Sequence, residues 1–130
     1  MASIFTKIVL GEIPAYKIAE NDHFLAFLDA FPLAYGHTLV IPKKEIDYIF
    51  DMPTELYQPM WNFASSIAVA LKKAVPCIRI GVSVIGLEVP HTHIHLIPLN
   101  SMEDINFSRP KLEFSPEKME YVAKSIRDQL

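Results

Sequence analysis

The chain has 130 residues, 51% of them hydrophobic, which suffices for one domain with a genuine core. A formal net charge of -3 without any run of Lys or Arg excludes a phosphate-tracking nucleic-acid surface, and no segment approaches the roughly 20 apolar residues needed to cross a bilayer. Cys77 is the only cysteine, so an internal disulfide is excluded and a reducing, cytoplasmic compartment is expected; the start, Met1 to Lys7, does not read as a secretory signal.

Ser3 reads as the N-cap of a short helix carrying Ile4, Phe5, Ile8 and Val9, ended by Gly11 and Pro14. Ala15 to Glu20 and Phe24 to Asp29 flank the turn-forming Asn21-Asp22 and predict a hairpin, with His23 solvated at its tip. Thr38 to Ile41 predicts a third strand, closed by Pro42. The period then changes: Leu56, Met60, Phe63, Ile67, Leu71 and Ala74 form one stripe at helical spacing, which predicts a long helix over one sheet face. Pro59 should lie near its first turn or kink it. Ile78 to Ile85 and Pro90 to Pro98 read as two more strands around a turn at Gly86, with Cys77 a small buried hydrophobe at the strand start. Asn100 to Phe114 is irregular. Ser115-Pro116 opens a last helix over about 115–129, with Met119, Val122, Ala123 and Ile126 inward. The whole predicts a single α+β domain over 1–130, built on a five-stranded antiparallel sheet.

The run His91-Thr-His-Ile-His-Leu-Ile-Pro98 carries the chemistry. Successive strand side chains point to opposite faces, so His91, His93 and His95 should share one face at a spacing of roughly 6.5 to 7 Å. A neutral imidazole serves as nucleophile, general base, phosphate contact or metal ligand near neutral pH. The glycines, at 11, 36, 81 and 86, form neither a phosphate loop nor a dinucleotide fingerprint, and no serine lies in a nucleophile-elbow context. Histidine is therefore the best nucleophile available. Attack by a ring nitrogen on a nucleotide's α-phosphorus would form a labile nitrogen–phosphorus bond and divide one difficult displacement into two easier ones. Zinc ligation by the same histidines is the rival reading, weakened because no Asp, Glu or Cys lies within that strand and His37 would have to come from elsewhere.

The triad run resembles the signature of the histidine triad family of nucleotide hydrolases and transferases. Phe5 to Ala15 (FTKIVLGEIPA), Phe24 to Asp29 (FLAFLD) and Gly36 to Lys44 (GHTLVIPKK) resemble the family's N-terminal helix, nucleoside-pocket strand and following strand, in its order, so the likeness covers most of residues 3 to 98. The resemblance implies a homodimer of α+β protomers acting on the α-phosphate of nucleoside phosphoramidates or related nucleotides, with no cofactor. It implies that His93 is the covalent nucleophile, that His95 contacts phosphate, and that His91 and His37 support and orient the nucleophile. Asp29 matches the acidic residue that accepts from both ribose hydroxyls, although it could instead cap the turn before Pro32. Ile4, Phe5, Ile8, Phe27, Leu28 and Leu39 match the apolar positions that sandwich the base.

Three departures from the family pattern carry expectations of their own. Many bacterial members bind zinc through a Cys-x-x-Cys in the first helix and a histidine after the Pro-Lys-Lys; Ser3, Thr6 and Glu45 stand there, so no structural zinc is expected. The turn before the triad, Gly86-Leu87-Glu88, is shorter than usual and places Glu88 where a small hydroxyl residue normally meets the leaving group. Phe31 stands where small residues are common. A nucleotide-binding regulator with little turnover is the alternative of a different class, and tight nucleoside monophosphate binding without turnover would identify it.

Overall fold

Residues 2–130 are described by a computed structural model; Met1, the first residue of the expected domain, lies outside them. Helix α1 (Ile4–Val9) begins where expected, because the Ser3 side chain accepts the Thr6 N–H. Then come β1 (Lys17–Glu20), β2 (Phe24–Leu28), β3 (Thr38–Pro42), α2 (Thr54–Ala74), β4 (Arg79–Ser83), β5 (Ile94–Leu99) and α3 (Pro116–Arg127), with single 3-10 turns at Ile49–Asp51 and Met102–Ile105. The strands form one antiparallel sheet in the order β1-β2-β3-β5-β4, so the architecture is the α+β one expected from the sequence.

Each of the two central hairpin strands is buried along its whole length because both faces of the sheet are covered. Phe24, Ala26, Leu28, Val40, Ile94 and Leu96 face α2 and α3, meeting Met60, Ile67 and Leu71 of α2 and Val122 and Ile126 of α3. The alternate residues Leu25, Phe27, Leu39 and Ile41 face Phe5 and Ile8 of α1. At about 25 cal/mol per Å² of apolar surface, a fully buried Leu or Phe on either face contributes about 1.5 to 3 kcal/mol. Both layers therefore stabilise the sheet, and the thinner α1 layer leaves room for a pocket.

Several boundaries differ from expectation for identifiable reasons. The strand expected from Pro90 begins only at Ile94, so His91 and His93 lie in the extended approach to β5 and only His95 is in the ladder. Continuing the β3–β5 register, in which Val40 faces Ile94, would set Thr92 against Pro42, which has no N–H to give. The Thr92 N–H and hydroxyl instead both bond the Ile46 carbonyl at 2.7 Å. Pro59 is the sixth residue of α2, beyond the first turn, and lies on its exposed side. Cys77 is half-buried rather than a core residue, two positions before β4. His23 is exposed, as expected.

Candidate active site

The sheet face under α1 opens into a cavity of about 690 Å³, within the size range of small-molecule sites. Ile4, Phe5 and Ile8 of α1 form one wall, and Phe27 and Leu39 the floor; Leu28, expected to sandwich the base, only borders the cavity, because strand alternation packs its side chain into the α2 and α3 layer. Asp29, His37, His93 and His95 bring the polar groups, and Gly86, Leu87 and Glu88 form the rim. Every site residue expected from the sequence thus lines or borders this cavity except His91, which is fully buried behind it. Sequence reasoning missed Ile13, Val89, Phe107 and Lys111. Phe107 and Lys111 come from the irregular stretch after β5, where no periodicity marks an inward face. Only the fold brings them over His95, whose ring meets Phe107 edge-on with centroids 4.8 Å apart.

Hydrogen bonds assign the tautomer of each ring. The Nδ1–H of His93 donates to the His91 carbonyl at 2.7 Å, which leaves the lone pair on Nε2 of a ring that lines the cavity. His37 Nδ1 accepts the Leu33 N–H at 3.0 Å, so its proton is on Nε2 and is given to His95 Nδ1 at 2.9 Å. His95 therefore carries its own proton on Nε2 and offers a donor. His91 Nε2–H donates to the Pro42 carbonyl at 2.8 Å, and its Nδ1 accepts from the Ser3 hydroxyl at 2.7 Å. The His93 and His95 rings lie 4.9 Å apart, closer than the strand repeat, because they turn toward each other.

Burial keeps these rings neutral. It lowers His37 to about 3 and His95 to about 4, each helped by repulsion from neighbouring histidines. His93 and His91 are also lowered by burial, against the opposing pull of their carbonyl hydrogen bonds. Burial raises the Asp29 carboxyl, opposed by the Phe31 N–H that donates to Oδ1 at 2.9 Å and by the electrostatic pull of the Lys111 ammonium. Asp29 does cap the turn, as the alternative reading had it, and still lines the cavity. Its Oδ2 lies 3.5 Å from His37 Nε2, farther than His95 Nδ1, so the proton of His37 goes to His95.

Asp29, His37 and His95 place one ligand atom each within 4.8 Å of one another. Metal binding at His37 Nε2 would displace its proton to Nδ1, where it would face the Leu33 N–H donor to donor. The arrangement thus favours the proton over a cation. Zinc does not fit the other group of potential ligands either. The Ser3 hydroxyl occupies His91 Nδ1, and Glu45 Oε1 takes the Ser3 N–H at 2.6 Å and the Thr6 hydroxyl at 2.7 Å. Purified protein should therefore carry far less than one zinc per chain, and chelators should leave turnover unchanged. Elemental analysis that found about one zinc per chain, lost together with activity, would contradict this.

An antiparallel sheet presenting alternating histidines at the foot of an apolar-walled pocket defines the histidine triad class. The HIT domain family profile matches residues 10–102, and the chain belongs to that family. An uncharacterized HIT-like protein of Borreliella burgdorferi is 37% identical over 131 residues, covering 95% of this chain and 94% of its own. Adenosine 5'-monophosphoramidase HNT1 of Saccharomyces cerevisiae is 38% identical over 98 residues, covering 75% of this chain and 62% of its own. Among solved structures, a HIT-like protein of Bartonella henselae is similar at a TM-score of 0.85 and 35% identity, over 98% of this chain and 96% of that one.

Proposed function

We propose that the protein is a hydrolase that attacks the α-phosphate of nucleoside phosphoramidates or related nucleotides through a covalent nucleotidyl–His93 intermediate. The observation that carries this reading is the His93 Nδ1–H bond to the His91 carbonyl, which leaves an unprotonated Nε2 in the cavity. In the first step the Nε2 lone pair forms a bond to phosphorus as the bond to the leaving group breaks, and the leaving atom takes a proton from solvent at the mouth. The ring becomes cationic, which strengthens its Nδ1–H bond to the carbonyl. Water then attacks phosphorus, the nitrogen–phosphorus bond breaks, the water's proton returns to solvent and a nucleoside monophosphate leaves. The Nε2–H of His95 would hold a phosphoryl oxygen, and Asp29, with lone pairs left on both oxygens, would take the ribose hydroxyls. Phe5, Phe27 and Leu39 would hold the base. The name of the yeast relative supports a phosphoramidate substrate.

The reading includes a homodimer in a reducing cytoplasmic compartment. The homodimer is supported by β4, an edge strand that carries the exposed Val82 and follows the exposed Ile78, an arrangement that soluble chains commonly cover. Rapid-quench intact-mass analysis with an adenosine phosphoramidate tests the chemistry and should reveal one nucleotidyl group per chain. Steady turnover without any adduct would remove the covalent route. Tight nucleoside monophosphate binding without turnover would make the protein a binder.

Glu88 and Lys111 bring opposite charges to the cavity lining and should tune the leaving group. Glu88→Gln should raise kcat/KM for dinucleoside polyphosphates relative to phosphoramidates by about two- to fivefold, and Lys111→Gln should lower the same ratio similarly, as expected for exposed charges. An unchanged ratio in both variants would place both side chains outside leaving-group recognition.

A further inference from the structure

We propose that Ser3, Thr6 and Glu45 form a hydrogen-bonded clip that positions His93 by holding His91 in a single tautomer. The inference rests on His93 as the attacking residue and adds three positioning residues that do not touch the substrate's reacting atoms.

The direction of each bond follows from the donor inventory. A carboxylate accepts only, so Glu45 Oε1 commits the hydroxyl hydrogen of Thr6 at 2.7 Å and the Ser3 N–H at 2.6 Å. Ser3 Oγ already accepts the Thr6 N–H at 3.0 Å, and its own hydrogen goes to His91 Nδ1 at 2.7 Å rather than to Thr6 Oγ1, which lies farther away at 3.3 Å. That nitrogen then carries no proton, so His91 Nε2–H must point at the Pro42 carbonyl at 2.8 Å. The ring is held at both nitrogens and is fully buried. The same residue supplies the carbonyl that orients His93 at 2.7 Å. A chain of bonds therefore runs from Glu45, after β3, through the N-cap of α1 to the loop that carries the nucleophile.

The clip also joins the two halves of the site. Helix α1 is only six residues long, too short to persist without tertiary support, and it carries Phe5, whose ring meets His93 edge-on at 4.9 Å and His91 at 5.8 Å. Ser3 caps this helix and grips His91 with one hydroxyl. The approach to β5 lies outside the sheet ladder; the His91 N–H on the Val89 carbonyl at 2.8 Å and the Thr92 N–H on the Ile46 carbonyl at 2.7 Å hold its backbone, and the clip acts on the His91 ring.

The test compares Ser3→Ala, Thr6→Val, Glu45→Ala and Glu45→Gln by steady-state kinetics and by nitrogen NMR of the histidine rings. Ser3→Ala, Thr6→Val and Glu45→Ala should each lower kcat about tenfold or more with KM little changed, the usual scale for losing a group that orients an active residue. Their spectra should show His91 and His93 populating both tautomers, where the parent protein shows one tautomer of each. Glu45→Gln keeps an acceptor oxygen and should stay within about twofold of the parent. Parent kcat and single tautomers in Thr6→Val and Glu45→Ala would overturn the clip, as would a Glu45→Gln defect equal to that of Glu45→Ala. If His93 is not the nucleophile, no adduct forms in any variant and the ring spectra still decide whether the clip sets the tautomers.

Discussion

Replacing His93 with alanine should lower kcat by about 10⁴-fold or more, the scale seen when a covalent nucleophile is removed, while nucleoside monophosphate affinity stays within a few fold. The two effects separate because different groups serve them. His93 contributes a nitrogen lone pair, whereas the apolar walls from α1, β2 and β3 and the Asp29 carboxylate, which line the same cavity, would hold the nucleoside. Removing the ring also removes the edge contact with Phe5 at 4.9 Å, so some loss of stability is expected, and binding should be measured by calorimetry below the variant's melting temperature. Full activity in the variant would transfer the chemistry to another residue. Loss of binding in proportion to loss of rate would mean that the ring does no more than shape the pocket.

Stability should fall steeply on acidification, starting near pH 6.5. His37 and His95 are held neutral in the fold, at about 3 and about 4, while in the unfolded chain each takes up a proton near its ordinary value of 6.5. Between those values the unfolded state binds more protons than the folded one. Their contribution is thus fully present above pH 6.5 and is lost as pH falls toward the folded values. At about 1.4 kcal/mol per unit, the two histidines together should remove on the order of 4 kcal/mol between pH 8 and pH 5. His91 and His93, lowered in the same direction, add to the loss. Asp29 works the other way: its raised carboxyl favours the fold below its ordinary value of 3.8 and ceases to do so as pH rises through the folded value, so it opposes the loss from the histidines as pH falls through that value. Urea unfolding at pH 8, 6.5 and 5, followed by Trp61, the single tryptophan, should reveal the decline. His37→Asn should reduce its slope. A flat profile down to pH 5 would mean that these rings are hydrated and free to charge.

Much of the fold was legible because its signals are local. Ser3 and Ser115 cap their helices as their positions beside apolar periodic runs suggested, since capping depends only on the next three residues. The α2 stripe followed from helical spacing, although Ala64 and Ala70 take buried positions while Phe63 stays half-exposed at the margin. The start of β5 was misjudged because a strand is defined by its partner: alternation continues back through His93 and His91, but Pro42 has no N–H to pair. Asp29 was read as either ribose acceptor or turn cap. The structure shows one oxygen capping Phe31 and the other turned toward His37, so local bonding and pocket lining coexist.

By itself the sequence determined the layered sheet, the helices, and the identity of the side chains at the foot of the cavity, because hydrophobic periodicity, caps and the spacing of histidines are properties of neighbouring residues. It determined too that positions 3 and 6 carry hydroxyl side chains and no thiol. Only the tertiary structure decided the protonation pattern, since that depends on which distant group meets each ring nitrogen: Leu33 at His37, His37 at His95, and Ser3 and Pro42 at His91. It alone brought Phe107 and Lys111 over the site and joined Glu45 to Ser3 across 42 positions of sequence. Hydrogen bonds and burial between remote segments leave no periodic trace in a chain, which is why these features appear only when it is folded.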